Sequence, residues 1–169
     1  MVDVNKTIAG KVHRLGADIN TDEIISGKYC SITDFTQLAP HVLEAVVPNF
    51  AAQANPGDVI IAGKNFGCGS SREIAVDLLL YIGIKMVVAP SFARIFYRNA
   101  INRGLFIIEC ADIENAVTDG DIISYELANG KIKNLTQGIE RNGSVIPDFL
   151  LDILSQGGAV AAYKNKLGK

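Results

Sequence analysis

An apolar segment, a glycine-rich turn and a helical pattern follow one another between residues 58 and 83, and this order constrains the fold more than any other feature of the chain. Val59–Ala62 has the composition of a buried strand, and apolar residues then recur at helical spacing up to Gly83. A second strand pattern, a second helical pattern and a third strand pattern extend to residue 108. Strands that alternate with helices pair in parallel, because each helix crosses over the sheet. The sequence therefore predicts a βαβαβ unit over residues 59–108.

Further elements are predicted on both sides of this unit. Residues 7–13 alternate loosely between apolar and polar side chains, as in a strand. Asn129-Gly130 lies between two strand-like segments and is a strong signal for a tight hairpin turn. A short strand is expected over Ser144–Ile146, and a C-terminal helix over Phe149–Leu167 with an interruption at Gly157-Gly158.

Composition limits the class of protein. The chain has 169 residues, of which 49% are hydrophobic and 20% are charged, so a single α/β domain over residues 1–169 is expected. The formal net charge of −2 argues against nucleic-acid binding, which usually requires a basic surface. No apolar run has the length of a membrane span, and Met1–Lys6 does not begin the apolar core of a signal peptide. We therefore expect a cytoplasmic protein with no membrane contact.

The glycine-rich turn Asn65–Glu73 combines two glycines, two serines and an arginine. The first N–H groups of a helix lack partners within the helix, so a turn of this kind can bind an anion, and Arg72 adds a positive charge. A structural explanation is equally open. Ser70 and Glu73 fit the capping box S-x-x-E, with Ser70 as the N-cap of a helix that starts at Arg72.

The three cysteines do not indicate a metal site in this chain. Cys30, Cys68 and Cys110 are far apart in the sequence, and no Cys-x-x-Cys pair is present. Cys110 ends an apolar run, which is typical of a core residue. Catalytic cysteines usually have a histidine nearby in the fold, and the sequence assigns no such place to His13 or His41, so a nucleophilic role of Cys68 is not favoured.

Three blocks carry a resemblance to a known family: Asp18–Ile25 with Gly27–Tyr29, then Asn65–Glu73, then Ser91–Ala100. In this order and at these separations they resemble the small-subunit, or swivelling-domain, members of the aconitase superfamily. The resemblance covers nearly the whole chain and implies a single swivelling β/β/α domain with parallel βαβ units and added antiparallel strands. The length is similar to that of separate small subunits such as those of 3-isopropylmalate dehydratases.

The resemblance implies a hydro-lyase that isomerises a 2- or 3-hydroxy acid by dehydration and rehydration, as in leucine biosynthesis. Such a small subunit is active only with a large subunit, which binds a [4Fe-4S] cluster, so no metal or cofactor is expected in this chain. Ser70 is implied as the base, Ser71 as an adjacent substrate contact and Arg72 as the partner of a substrate carboxylate. A serine can act as a base only where its alkoxide is stabilised by nearby dipoles and charges.

The resemblance also implies a substrate-recognition loop. It contains Tyr29, Cys30, Ser31, Ile32 and Thr33. This loop has no arginine, which favours an apolar substituent such as isopropyl.

One position departs from the family pattern. Ile74 stands where the family usually has histidine, which leaves the substrate subfamily open. A 2,3-dimethylmalate dehydratase or a homoaconitase small subunit is an alternative, as is a non-enzymatic, anion-binding regulatory module. We expect Asn65–Glu73 to be exposed and mobile in the isolated chain, because an active site completed by a partner must face that partner.

Overall fold

Seven strands form one mixed sheet in the computed structural model, which describes residues 7–168. Met1–Lys6, on which part of the localisation argument rests, and Lys169 lie outside the described residues. The strands are β1 (Thr7–Arg14), β2 (Val59–Ile61), β3 (Met86–Ala89), β4 (Phe106–Glu109), β5 (Ile122–Glu126), β6 (Lys131–Asn134) and β7 (Ile139–Asn142). Their order in the sheet is β4-β3-β2-β1-β5-β6-β7.

The helices are α1 (Thr21–Ile24), α2 (Phe35–Leu38), α3 (Phe50–Gln53), α4 (Glu73–Tyr81), α5 (Arg94–Arg103), α6 (Asp148–Ser155) and α7 (Ala159–Lys166). Short 3-10 turns occur at Gly27–Tyr29, Ala39–His41 and Ile113–Ala116. Within residues 7–168, none of the helices combines the length and the apolar character that crossing a membrane requires.

The predicted βαβαβ unit is confirmed as β2-α4-β3-α5-β4, with all neighbouring strands in parallel. β1 extends the parallel part on the other side of β2 and pairs antiparallel with β5. Gly104 ends α5 at a φ of 88°, a left-handed conformation that glycine adopts without steric cost. The α/β fold class is therefore confirmed, and β1 joins the parallel half of the sheet to its antiparallel half.

The strands β2, β3 and β4 are buried on both faces, so each of them contributes to two apolar cores. Ile60, Val87 and Ile107 pack with α4 and α5. Val59, Val88 and Ile108 point to the opposite face. There they meet α6 and the antiparallel strands. Burial on both faces explains why these strand sequences are continuously apolar.

One predicted strand is wrong. The short strand expected at Ser144–Ile146 does not form, and β7 lies earlier in the chain, at Ile139–Asn142. β7 is an edge strand of alternating half-buried and exposed residues, so its sequence carries little apolar signal. Ser144 instead donates its N–H to the carbonyl of Glu109 over 2.7 Å, which links the chain after β7 to β4.

Candidate active site

The three sequence blocks meet where β1, β2 and β3 end, at the carboxyl edge of the parallel strands. Gly67 donates its N–H to the carbonyl of Ile19 over 2.7 Å, and Thr21 donates its N–H to the carbonyl of Cys68 over 2.9 Å. Phe66 donates its N–H to the carbonyl of Ser91 over 3.1 Å. This edge is the usual ligand site of open α/β sheets.

The glycine-rich turn is held in an unusual backbone conformation. Gly67 has a φ of 77°, and a Cβ at this position would overlap the ring of Phe96. Asn65 has a φ of 62°, and its Nδ2 donates to Asp18 Oδ1 over 2.9 Å. Ala93 is the N-cap residue of α5, and Ser91 Oγ instead accepts the Asn65 N–H over 2.9 Å. The turn is thus fixed by both neighbouring loops.

Ser70 is held by Thr21 and does not cap α4. The two hydroxyl oxygens lie 2.9 Å apart, and Thr21 Oγ1 accepts the Ser70 N–H over 3.1 Å. The predicted capping box of Ser70 and Glu73 is wrong, because Arg72 is the N-cap residue and no side chain caps the helix. The extended backbone of Arg72, with a ψ of 100°, delays the start of the helix to Glu73 and leaves Ser70 outside it.

A capping box does occur nearby, at α1. Asn20 Oδ1 accepts the Glu23 N–H over 2.9 Å, and Glu23 Oε2 accepts the Asn20 N–H over 2.8 Å. The backbone N–H groups of Asn20 and Glu23 in the first turn of α1 therefore both have hydrogen-bond acceptors. This fixes Thr21 and Asp22, the two α1 residues that face the glycine-rich turn.

Arg72 is oriented by Asp22. Its Nη1 donates to Asp22 Oδ1 and, over 3.1 Å, to the carbonyl of Ile25. The hydrogen bond from Arg72 is the main reason why the pKa of the Asp22 carboxyl is lowered. Gly27 packs against the same guanidinium, since a Cβ there would lie 3.0 Å from Arg72 Nη2. The arginine that the sequence singled out is thus a fixed part of the site.

An anion can bind beside Arg72, because α4 begins there without a side-chain cap. The first N–H groups of a helix point outward, and the helix dipole adds partial positive charge. Gly69, Ser70 and Ser71 are exposed at this point, whereas Phe66 and Gly67 are buried. The expected exposure is therefore confirmed for residues 65, 69–71 and 73 and wrong for residues 66 and 67, while residues 68 and 72 are half-buried. The mobility of the turn stays a prediction.

The loop Tyr29–Thr33 begins two residues after Gly27. Tyr29 donates its phenol O–H to Glu44 Oε1 over 2.7 Å, and half-buried Ile32 packs on the core. Cys30, Ser31 and Thr33 are exposed. Within the described chain, no hydrogen bond joins this loop to Ser70 or Ser71, so Gly27 makes the connection to the site.

The contacts of Ile74 and Cys68 indicate structural roles. Ile74 is half-buried and packs against the core, as its place on the apolar stripe of α4 predicts. Cys68 Sγ donates to the carbonyl of Asp18 over 3.4 Å. Burial and then the charge of Asp18 raise the pKa of the Cys68 thiol, which opposes a nucleophilic role. Among residues 7–168, no three His, Cys, Asp or Glu side chains are grouped as a metal site.

Three residues of the site were not assigned from the sequence. Thr21 and Asp22 belong to the first family block, but only the fold shows that they hold Ser70 and Arg72. Glu44, which belongs to none of the three blocks, accepts the hydrogen bond from Tyr29. Its one sequence signal is the spacing from His41, since residues three apart in a turn or helix can meet.

Comparison with known proteins decides the family. The aconitase C-terminal domain family matches residues 5–113. The chain belongs to this family. It is 47% identical to the 3-isopropylmalate dehydratase small subunit 1 of Methanopyrus kandleri, with 94% of each chain covered. It is also 47% identical to the methanogen homoaconitase small subunit of Methanothermobacter thermautotrophicus, over 92% of this chain and 90% of that one.

A solved structure agrees. The 3-isopropylmalate dehydratase structure from Methanocaldococcus jannaschii superimposes with a TM-score of 0.88 at 42% identity, covering 96% of each chain. The predicted relationship to small subunits of the aconitase superfamily is therefore confirmed, as is the fold class.

Proposed function

We propose that this chain is the small subunit of a hydro-lyase that isomerises a hydroxy acid by dehydration and rehydration, with 3-isopropylmalate as its substrate. The observation that carries this proposal is sequence identity, over nearly the whole chain, to 3-isopropylmalate dehydratase small subunits. The small subunit from Caldicellulosiruptor bescii, for example, is 44% identical over 95% of this chain. A small subunit requires a large-subunit partner, and the exposed Gly69–Ser71 segment offers the side from which a partner would close the site.

The roles proposed for this chain's residues are those that the family resemblance implies, and the contacts around Ser70 and Arg72 support them. Ser70 Oγ takes the proton from the carbon next to a substrate carboxylate, while hydroxide leaves the neighbouring carbon and a C=C bond forms between them. Thr21 Oγ1, 2.9 Å from Ser70 Oγ, donates a hydrogen bond to the serine alkoxide. In the hydration step, the hydroxide part of a water molecule bonds the carbon that lost the proton, and Ser70 Oγ gives its proton to the carbon that lost the hydroxyl, which leaves the serine alkoxide again. The remaining proton of that water neutralises the hydroxide released in the first step.

Arg72 and the first N–H groups of α4 bind a substrate carboxylate. As the carbon loses its proton, negative charge spreads onto this carboxylate, and the guanidinium stabilises it. Asp22 holds Arg72 in place before substrate arrives, which lowers the cost of ordering it on binding. Ser71 lies between Ser70 and Arg72 in the chain and is exposed, and it contacts the substrate.

A [4Fe-4S] cluster, if held by the large subunit as we propose, supplies Lewis-acid chemistry to the leaving hydroxyl. The cysteines of this chain do not fit such a cluster, because Cys30 is exposed, Cys68 is half-buried and Cys110 is buried in the core. No step above is assigned to the cluster.

Co-expression with a candidate large subunit tests the proposal. The purified heteromer is expected to interconvert 3-isopropylmalate and 2-isopropylmalate, followed by the ultraviolet absorbance of the unsaturated acid. Homocitrate and 2,3-dimethylmalate test the two alternative substrates, of which homocitrate is relevant because the homoaconitase small subunit is equally similar. Calorimetry of the isolated chain with nucleotides tests the regulatory alternative. Tight nucleotide binding by a chain whose heteromer is inactive would overturn the proposal.

A further inference from the structure

Glu44 is the centre of a polar cluster beside the loop Tyr29–Thr33. Its Oε1 accepts the phenol O–H of Tyr29 over 2.7 Å and lies 3.0 Å from Lys28 Nζ. Its Oε2 lies 2.7 Å from His41 Nδ1, which requires a proton on that nitrogen. The rings of Tyr29 and His41 stack with centroids 4.0 Å apart. We call Lys28, Tyr29, His41 and Glu44 the Glu44 cluster.

The cluster balances its own charges. Hydrogen bonds from His41, Tyr29 and Lys28, in this order of importance, lower the pKa of Glu44 to about 2, so the carboxylate is ionised at neutral pH. Lys28 Nζ also lies 4.7 Å from the centre of the Tyr29 ring. The positive charge of Lys28 is therefore compensated by Glu44.

The Glu44 cluster is connected to the candidate active site through Gly27. Gly27 packs against the Arg72 guanidinium and donates its N–H to Asp22 Oδ1 over 3.2 Å. Lys28 follows directly, so it is the next residue along the chain that could carry positive charge into the site. In the structure, Lys28 Nζ instead lies 3.0 Å from Glu44 Oε1.

We propose that Glu44 is a positioning residue that fixes the loop Tyr29–Thr33 and compensates the charge of Lys28, so that the loop presents an uncharged face to the side group of the substrate. This inference rests on the proposed function and on the role in substrate recognition that the family resemblance implies for the loop. It assigns the substrate class as malates with an uncharged substituent. Glu44 acts through Tyr29 and Lys28 and does not touch the substrate.

The test is a comparison of two glutamate variants in the heteromer. Glu44→Gln keeps the size of the side chain and removes its charge. Glu126→Gln is the matched control, because Glu126 also pairs with a lysine, with its Oε1 2.6 Å from Lys133 Nζ, but lies on β5 in the antiparallel half of the sheet. Steady-state kinetics are measured with 3-isopropylmalate and with homocitrate, whose side group carries a carboxylate.

We expect Glu44→Gln to raise KM for 3-isopropylmalate about fivefold with little change in kcat, because the chemistry at Ser70 is untouched. The ratio of kcat/KM for homocitrate to that for 3-isopropylmalate should rise about fivefold to tenfold, the size of one exposed charge interaction. Glu126→Gln should change neither quantity. Adding Lys28→Met to Glu44→Gln should remove the gain for homocitrate and keep the higher KM for 3-isopropylmalate.

An unchanged substrate ratio in Glu44→Gln would overturn the proposal, as would a gain for homocitrate that persists without Lys28. Hydrogen exchange on the isolated chain gives a second readout that does not require turnover. The backbone N–H groups of Cys30 and Ile32, which donate to Gly27 and Tyr29, should exchange faster in Glu44→Gln than in wild type. If the wild-type heteromer turns over none of the acids, the proposed function fails; if exchange in Glu44→Gln is unchanged, the positioning role fails.

Discussion

The hydroxyl of Thr21 offers a sharp test of how the fold prepares Ser70. Thr21 has 1% of its surface exposed, and valine has nearly the same shape, so Thr21→Val removes the hydroxyl without opening a cavity. The substitution deletes the contact of 2.9 Å with Ser70 Oγ and the acceptor for the Ser70 N–H at 3.1 Å.

The size of the effect can be estimated from these bonds. Each neutral hydrogen bond contributes about 1 kcal/mol, so we expect the free energy of unfolding to fall by about 1–2 kcal/mol. A hydrogen bond to a charged group contributes about 1.5–3 kcal/mol. Loss of the bond to the Ser70 alkoxide should therefore lower kcat roughly 10- to 100-fold, since about 1.4 kcal/mol corresponds to a factor of ten. KM should change little, because Arg72 is not altered.

The assay is steady-state turnover of the co-purified heteromer, with thermal unfolding measured in parallel. Thr21→Ser is the control, since it keeps the hydroxyl and loses only a methyl group. We expect it to retain most of the wild-type kcat. A folded Thr21→Val variant with wild-type kcat would refute the reasoning, and equal losses in both variants would assign the effect to packing of the methyl group.

Two further substitutions and one labelling experiment test the rest of the site. Gly67→Ala should destabilise the chain by roughly 2–4 kcal/mol in thermal unfolding, because its Cβ overlaps Phe96 and its φ is 77°; a wild-type melting temperature would contradict this. Asp22→Asn should raise KM about tenfold with a smaller change in kcat, because Arg72 loses its partner; an unchanged KM would show that Arg72 is oriented without it. The thiol of Cys68 should react with iodoacetamide far more slowly at pH 8 in native protein than in urea, because its raised pKa keeps it protonated, and fast native labelling would contradict this.

The sequence predicted the parallel half of the fold well because its signals are local. The apolar segments that became β2, β3 and β4 are buried on both faces, and Gly83 and Gly104 mark the ends of the two crossover helices. The edge strand β7 could not be predicted, because Ile139–Asn142 gains its structure from pairing with β6 and not from its own composition.

In the candidate active site, too, local features could be predicted and contacts between distant residues could not. Arg72 was singled out because an arginine beside glycines at a helix start is unusual, whereas the role of Ser70 is implied by the family resemblance, and both roles stay predictions. The capping box that was the alternative explanation of Ser70 does not form. The helix start depends on the backbone of Arg72, and the partner of Ser70 is Thr21, which is 49 residues away in the chain. Local spacing cannot distinguish a capping serine from one that a distant threonine holds.

The most direct test of the central claim is turnover by a heteromer that carries Ser70→Ala. We predict a loss of about 10²–10⁴-fold in kcat, the usual contribution of a general base, with the complex still assembled. Ser155→Ala on α6 is the matched control, because this exposed serine donates its O–H to the carbonyl of Asp152 in its own helix, and it should leave kcat unchanged. An assembled Ser70→Ala heteromer with a kcat within about twofold of wild type would contradict the account.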